Sequence, residues 1–383
     1  MPAKTLRTAK KNKADEFYTQ MSDISSELNN YREQFEGKIV FCNCDDPERS
    51  NFFKFFVLKF NDWKLKKLIA SHLVLPATLD TRPIIDRIEE ENMAIGNKYK
   101  SYKVEIAEVD VNYDNNIDAV IDLKTLCVNE KNVITALNSN GDFRSVESIE
   151  ALKEADIVVT NPPFSLFREY VAQLVEYNKK FLIIGNKNAV ACKEIFKLCR
   201  NNKIQIGYRN MNSDMWFQVP DGYEYEKIVN GIKVKHIMAC WFTNLNVNKK
   251  NLTITLREKY SPEKYPKYDN YDAIEVSKVK DIPFDYYEPM GVPITFLNKY
   301  SARQCEIDGI SEPDTMVNLP NTHEYSLKKE QEKDHYKLIC KSLANEFRII
   351  GMGNKNDCNG NRAVKINGRS LYCRIIIERI KKS

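Results

Sequence analysis

Glycine and proline are scarce in this chain, 13 and 14 among 383 residues, which excludes collagen-like repeats and Gly/Pro-rich low-complexity scaffolds. With 43% hydrophobic and 29% charged residues the composition is that of a folded globular protein rather than a disordered one. Long hydrophobic runs are missing too. Phe181-Leu182-Ile183-Ile184 falls far short of the ~20 residues a membrane span requires, and the Phe-rich stretch from Phe52 is interrupted by Lys54 and Lys59. The N-terminus has no apolar segment followed by a small-residue cleavage site, so no secretory signal is expected and the cytoplasm is the expected compartment. The ten cysteines should then be reduced, and none falls in a C-x-x-C pair: Cys42 and Cys44 flank one residue, and Cys192 and Cys199 lie two helical turns apart. His72, His236, His323 and His335 are dispersed, so no metal site is expected. Acidic residues are absent from residues 1–13, which carry Lys4, Arg7, Lys10, Lys11 and Lys13. The net charge of the whole chain is +5, so the rest is neutral and the excess is an N-terminal arm. Such an arm is either a solvated tail or a set of phosphate contacts.

A length of 383 residues favours two domains, or one large α/β domain with an appendage. The stretch 15–36 reads as an irregular start followed by one helix, because Ile24, Leu28, Tyr31 and Phe35 share a face. Residues 38–44 are a compact apolar strand, 50–60 a helix and 67–71 a second strand. The same alternation returns with a helix at 149–154, a strand at 156–160, a helix at 166–177, a strand at 181–184 and a helix at 189–200. Continuous apolar strands alternating with helices predict an α/β fold with a mostly parallel central sheet covered on both faces. From Ile204 the pieces become shorter and β-rich. Residues 225–234 predict a hairpin around Asn230-Gly231, and 239–242 another buried strand. Beyond Asn246 the alternation is lost and a second region begins, with no internal repeat. Gly351-Met352-Gly353-Asn354 lacks the third glycine of a dinucleotide fingerprint and reads as a loop.

Asn161-Pro162-Pro163-Phe164 sits behind an apolar strand and before a helix, where open parallel sheets bind ligands. An exocyclic amino group conjugated to an aromatic ring is a poor nucleophile unless acceptors draw out its hydrogens and turn its lone pair toward an electrophile. Asn161 brings a side-chain oxygen. Two prolines stiffen the turn so that the Pro162 carbonyl is a second fixed acceptor, and Phe164 offers a face for a planar base. The competing reading is a plain turn after a strand.

The tetrapeptide resembles motif IV of the amino-methyltransferases that use S-adenosylmethionine, and the wider sequence is similar to the EcoRI-type adenine-specific DNA methyltransferase family. The likeness is carried by Asp15-Glu16-Phe17-Tyr18-Thr19-Gln20, residues 41–47, 141–145, 156–170 with Gly185-Asn186, and the block 291–298. It implies a Rossmann-like S-adenosylmethionine-dependent methyltransferase fold, with a catalytic domain over 14–245 after the basic arm 1–13 and a C-terminal target-recognition region over 246–383. It also implies methyl transfer to the N6 amino group of a flipped adenine in double-stranded DNA, in restriction-modification, with no obligate protein partner.

By this resemblance Asn161, Pro162, Pro163 and Phe164 are the catalytic residues. Phe17, Tyr18 and Thr19 cover the cofactor, or else anchor the arm through an apolar pair. Asn43, Cys44, Asp45 and Asp46 replace the usual glycine-rich loop, and the two acids either meet the cofactor's ammonium or ribose hydroxyls or cap the next helix. Asp142 and Phe143 take the cofactor adenine through a carboxylate and a ring, or Asp142 caps a helix. Ser71-His72 stands where relatives show a ribose acid, so no ribose carboxylate is assigned. In the second region Arg257, Lys259, Lys264 and Lys267 among Tyr260, Tyr265 and Tyr268 are either DNA contacts or a solvated face. The same turn chemistry serves RNA adenine or a protein glutamine amide, and a silent nucleic-acid-binding module is the alternative outside enzymes.

Overall fold

The computed structural model describes residues 18–44, 46–71, 101–110, 123–219, 222–248, 253–268, 272–310, 328–332, 335–341, 347–353, 365–366, 369–371 and 373–381. The arm, Phe17, Asp45 and His72 lie outside the described residues. The chain opens with β1 (Tyr18–Thr19), α1 (Met21–Leu28) and α2 (Arg32–Phe35). The single expected helix is broken by a 3₁₀ turn at Asn29–Tyr31, yet Ile24, Leu28, Tyr31 and Phe35 are all buried as their spacing required. Next come β2 (Ile39–Cys42), α3 (Asn51–Lys59), β3 (Lys67–Ser71), β4 (Tyr102–Ile106), α4 (Leu123–Leu126), β5 (Val133–Ala136) and α5 (Val146–Glu154). They are followed by β6 (Ile157–Thr160), α6 (Phe167–Glu176), β7 (Lys180–Asn186), α7 (Lys193–Arg200), β8 (Gln205–Ile206), β9 (Met215–Gln218), β10 (Lys227–Val229), β11 (Ile232–Ile237) and β12 (Ala239–Thr243).

Eight strands form the main sheet in the order β5-β4-β3-β2-β6-β7-β12-β8. Its four central strands, β3, β2, β6 and β7, are parallel, and both flanks are antiparallel. The sheet is therefore mixed and not mostly parallel as expected. The departure has a local cause: β4 alternates buried and half-buried residues, the signature of an antiparallel flank strand, and β12 runs back along β7. Helices cover both faces, which β12 displays in two adjacent residues. Trp241 meets Phe52 of α3 edge-on at 5.8 Å, while Phe242 meets Phe167 of α6 at 5.0 Å. On the α3 face the period-2 residues Val40, Cys42, Leu68, Ala70, Ile157, Val159, Leu182 and Ile184 pack with Phe52, Phe53 and Phe56 in one core.

A smaller antiparallel sheet, β1-β9-β11-β10, contains the predicted hairpin, with Val229 opposite Ile232 and both Asn230 and Gly231 at positive φ. Glu27, fully buried in α1, fastens this end of the unit. It accepts hydrogen bonds from the Tyr31 hydroxyl at 2.8 Å and from the backbone N–H groups of Tyr208 and Arg209 at 2.5 and 2.7 Å. Gly207 leaves the room, since a Cβ there would stand 2.2 Å from Glu27 Oε1.

These elements, α7 excepted, make up one compact unit, drawn from residues up to 189 and from 204–247. The second unit takes residues 190–203 and those from 248 onward. It holds α7 and β13 (Ile274–Glu275), β14 (Met290–Pro293), β15 (Cys305–Ile310), β16 (Lys328–Glu332), β17 (His335–Lys341), β18 (Phe347–Gly353), β19 (Lys365–Ile366), β20 (Arg369–Ser370) and β21 (Arg374–Arg379). Its sheet β13-β14-β21-β15 is built on a buried ion pair, in which Arg374 grips Glu275 through Nε at 3.0 Å and Nη2 at 2.9 Å while the Tyr268 hydroxyl donates to the same carboxylate. A Cβ at Gly291 would collide with Tyr268, so the family-like block 291–298 begins with the space that this tyrosine needs. Tyr265 and Tyr268 are thus core residues, which removes these two rings from the candidate DNA contacts, while Lys264 stays exposed in an ion pair with Glu258 at 2.6 Å. Gly351, Met352 and Gly353 are not a loop but the end of β18, opposite Leu338, Lys337 and Tyr336 of β17. The strand-forming run ahead of them carries the pairing past the glycines. Among the described residues no helix is long and apolar enough to cross a membrane.

Gly185 of β7 fixes the approach of α6, because a Cβ there would lie 2.4 Å from the Phe167 ring. Gly185→Ala should therefore destabilise the protein by about 1–3 kcal/mol through overpacking, read as a lower urea midpoint at unchanged slope. A midpoint within error of the parent would show that Phe167 yields freely.

Candidate active site

The parallel neighbours β2 and β6 place Val40 opposite Ile157 and Phe41 opposite Val158. From β2 the chain moves to β3 on one side, whereas β6 joins on the other, so the strand order reverses between β2 and β6. Open α/β sheets bind ligands in the crevice beyond the carboxyl ends at such a point. Asn43 is the first residue after β2 and Asn161 the first after β6. The two turns that sequence reasoning assigned to cofactor and catalysis therefore flank one crevice.

Thr160 and Pro162 are buried, Asn161, Pro163 and Phe164 partly exposed, and the Asn161 side-chain oxygen is shielded from solvent. Pro163 holds an extended ψ of 122°, its carbonyl accepts the Leu166 N–H at 3.0 Å, and a 3₁₀ turn at Phe164–Leu166 leads into α6. One turn into α6, the fully buried Tyr170 donates its hydroxyl proton to Asn43 Oδ1. That bond decides the orientation of the Asn43 amide. With Oδ1 turned to Tyr170, the Nδ2 group is buried without a hydrogen-bond partner. The Asn43 backbone carbonyl meanwhile accepts from Ser71 Oγ at 3.4 Å, and Cys44 Sγ lies 3.7 Å from Asn43 Oδ1.

Asp46 is a turn-former rather than a helix cap. Its Oδ1 accepts from the Glu48 N–H at 3.1 Å and from the Tyr102 hydroxyl at 3.4 Å, while α3 is capped by Ser50, whose Oγ accepts from the N–H groups of Phe52 and Phe53. Helix capping fails for Asp142 as well, because Ser145 caps α5 through the Ser148 N–H at 3.2 Å. The Asp142 carboxylate is instead held by Arg144, Oδ1 accepting from the backbone N–H at 2.9 Å and from Nε at 2.8 Å, and Oδ2 from Nη2 at 2.7 Å. Burial pushes this carboxyl up, but the arginine outweighs it and holds the group below the usual carboxylate range. A carboxylate has about four lone-pair sites. One on Oδ2 is thus left over for a further donor. Phe143 is 4% exposed and meets Tyr170 edge-on at 5.1 Å, and its carbonyl accepts from Gln173 Nε2 at 3.1 Å. Its ring packs against α6, which ties the 142–143 segment to the same helix that orients Asn43.

β1 completes the group. Thr19 pairs with Phe217 of β9, and the Phe217 ring lies 6.5 Å from that of Phe164 at 89°. Asn51, the first residue of α3, donates to the Thr19 carbonyl at 2.8 Å, and Thr19 Oγ1 is buried with no hydrogen-bond partner. Tyr18-Thr19, Asn43-Asp46, Asp142-Phe143 and Asn161-Phe164 are thus linked through Asn51, Phe217 and Tyr170. Sequence reasoning gave none of these three a role, although Tyr170 stood inside the longest family-like block. Asn43 Nδ2 and Thr19 Oγ1, both buried without hydrogen-bond partners, and one spare acceptor site on Asp142 suit a ligand carrying carboxylate, hydroxyl and exocyclic amino groups, as S-adenosylmethionine does.

Comparison with known proteins agrees with this geometry. Residues 5–380 match the family described as adenine-specific methyltransferase EcoRI. The chain is 44% identical over 327 residues to the Type II methyltransferase M.EcoRI of Escherichia coli, an alignment covering 82% of this chain and 93% of that relative. It is 38% identical over 328 residues to the Type II methyltransferase M.MpnI of Mycoplasma pneumoniae, covering 83% and 89%. No solved structure matches the chain significantly. With a family match across almost the whole sequence and an Asn-Pro-Pro-Phe turn at the switch point of its sheet, the chain belongs to the EcoRI family of adenine-specific methyltransferases.

Proposed function

We propose that the crevice between β2 and β6 is the site at which this enzyme transfers a methyl group from S-adenosylmethionine to the N6 amino group of an adenine flipped out of double-stranded DNA, as the modifying half of a Type II restriction-modification pair. The observation that carries this reading is the position of Asn161-Pro162-Pro163-Phe164 beside Asn43 at the strand-order reversal. The parallel centre β3-β2-β6-β7 supports a Rossmann-like description of the fold. The first unit is then the catalytic part and the second, with the basic arm, the part that engages DNA, in the compartment that holds the chromosome.

S-adenosylmethionine supplies an electrophilic methyl carbon bound to a sulfonium. Asn43 Nδ2 and Thr19 Oγ1 are the groups on this chain that meet its polar atoms, and Asp142 Oδ2 takes its exocyclic amino group. Tyr18 belongs to the cover over it, and Asp46 shapes the turn beneath. Asn161 Oδ1 and the Pro162 carbonyl would accept hydrogen bonds from the two N6 hydrogens of the target adenine, turning the nitrogen lone pair out of conjugation, and one N6 proton would leave to water once the methyl group is transferred. Phe164, braced by Phe217, stacks on the extruded base, which offsets part of the few kcal/mol that flipping costs. No covalent intermediate with the enzyme is required, and rate comes from positioning and from acceptors fixed before the reaction.

Three outcomes follow. Tritiated methyl transfer to unmethylated duplex DNA should be measurable with the parent and absent with RNA of the same sequence. Asn161→Ala should lower it about 100-fold or more at unchanged affinity for S-adenosylhomocysteine, with Asn161→Asp retaining part of the rate because a carboxylate also accepts. Equal, near-parental rates in both variants would remove Asn161 from the chemistry.

Duplexes carrying 2-aminopurine at the target adenine should brighten on binding, and Phe164→Ala should diminish that signal while sparing cofactor affinity. A parent complex that forms tightly at its specific site and stays dark would contradict flipping.

Tyr170→Phe removes the bond that turns Asn43 Nδ2 toward the crevice. Calorimetric affinity for S-adenosylhomocysteine should drop about three- to tenfold, alongside a stability loss of about 1–3 kcal/mol from the unpaired Asn43 oxygen. Lost stability with cofactor affinity intact would take Asn43 out of the cofactor site.

A further inference from the structure

The second unit contains a groove of about 570 Å³ that none of the preceding roles uses. It is lined by three cationic side chains, Arg303, Arg379 and Lys381, and by no acidic one. Its walls are held by hydrogen bonds rather than left to side-chain chance. Gln304 accepts the Ile254 N–H at 2.7 Å and donates to the Ile254 carbonyl at 2.8 Å, and the Ile380 N–H reaches the Gln304 carbonyl at 3.0 Å, which fastens residue 254 and the segment after β21 to one another. Arg379 donates to the carbonyls of Pro283 and Phe284, and its guanidinium lies 4.6 Å from the centre of the Tyr287 ring. Lys381 approaches the same ring at 5.9 Å.

Two properties of this groove point to an anion. Arg379 Nε is buried yet lacks an acceptor, a state that costs free energy until an oxygen arrives. Arg303 and Lys381 are exposed, and among the described residues neither has a carboxylate within ion-pair distance. Glu378 lies near enough to act electrostatically on Lys381 but does not line the groove, so the lining keeps an excess of positive charge. That excess suits an oxyanion with several acceptor oxygens, and phosphate oxygens match arginine and lysine donors. A partner that is a continuous line of phosphodiesters gains from a groove open to solvent, which a compact anion fills less well.

We propose that this groove seats backbone phosphates of the duplex, with Arg303 and Lys381 as direct contacts and Arg379 as the fixed donor between ring and backbone carbonyls. The proposal rests on the reading of duplex DNA as the substrate. Because phosphates carry no base identity, the groove contributes affinity and register rather than sequence choice.

The test is fluorescence anisotropy of the full chain with a labelled duplex at several salt concentrations, comparing the parent with the Arg303→Ala/Lys381→Ala double variant. Both positions are exposed, so the fold should persist, which the unfolding midpoint checks. Two lost contacts should flatten the plot of log affinity against log salt by about 1.8 for B-form DNA, weakening specific and non-specific duplexes alike. S-adenosylhomocysteine affinity, set in the other unit, should stay at the parental value. Inorganic phosphate at matched ionic strength separates the two sources of the anion: no displacement of the duplex beyond that caused by chloride is expected. An unchanged salt slope in the variant overturns the groove as a DNA contact, and phosphate-specific displacement combined with that unchanged slope makes it a small-anion site. A parent that binds no duplex at any salt overturns the substrate reading itself.

Discussion

A single hydrogen bond, from the Tyr170 hydroxyl to Asn43 Oδ1, ties the helix behind the Asn-Pro-Pro-Phe turn to the turn that follows β2. Its donor sits on the helix that the Asn-Pro-Pro-Phe turn launches, and its acceptor on the turn that leaves the neighbouring strand. Other contacts converge on that link. Phe143 packs on the Tyr170 ring, Ser71 holds the Asn43 carbonyl, and Gly185 lets α6 sink close enough for the tyrosine to reach. An asparagine side chain has two ends that differ only in donor and acceptor character. Fixing one end commits the other, and a buried hydroxyl is what makes that commitment in an otherwise apolar environment.

The same economy appears in the second unit, where Glu275, Arg374 and Tyr268 form a closed polar set inside a small sheet. Removing one member of such a set strands the others without partners. Buried polar clusters of this type hold each unit in one arrangement, and each unit has its own: Glu27 with the backbone of Tyr208 and Arg209 in the first, Glu275 with Arg374 in the second. Neither cluster includes a residue of the Asn-Pro-Pro-Phe turn, so that turn is supported from outside.

What the sequence disclosed followed from short-range rules. Helix faces such as Ile24, Leu28, Tyr31 and Phe35, the Asn230-Gly231 hairpin and the strands 39–42, 67–71 and 157–160 all announce themselves by periodicity or turn chemistry. The position of Asn161 behind a buried strand was legible for the same reason. The antiparallel flanks were missed even though β4 alternates locally, because strand direction is set by pairing with β3 and β5 across long intervening stretches. Tyr265 and Tyr268 misled because tyrosine suits a wet surface and a buried hydrogen bond equally well, and only their partners decide: the Asp281 carbonyl for Tyr265, and the Gly291 clearance with the Glu275 carboxylate for Tyr268. Asn51 and Tyr170 escaped notice as positioning groups because their partners lie 32 and 127 residues away. A hydroxyl or amide inside a helix looks the same in sequence whether it faces solvent or a distant strand end.

The pairing of β1 with β9 bears on how the enzyme comes into being. Thr19 and Phe217 are separated by nearly two hundred positions, yet they face each other across paired strands, and the Phe217 ring lies against Phe164. Closing a loop of that length costs about 5 kcal/mol of chain entropy before the contact returns anything. Contacts of such high sequence separation also form slowly. During synthesis the first parallel strands can begin to assemble well before β9 leaves the ribosome. The surroundings of Phe164 are not complete until it does, so the Asn-Pro-Pro-Phe turn should gain its final setting late in the maturation of this unit, after most of its sheet is already in place.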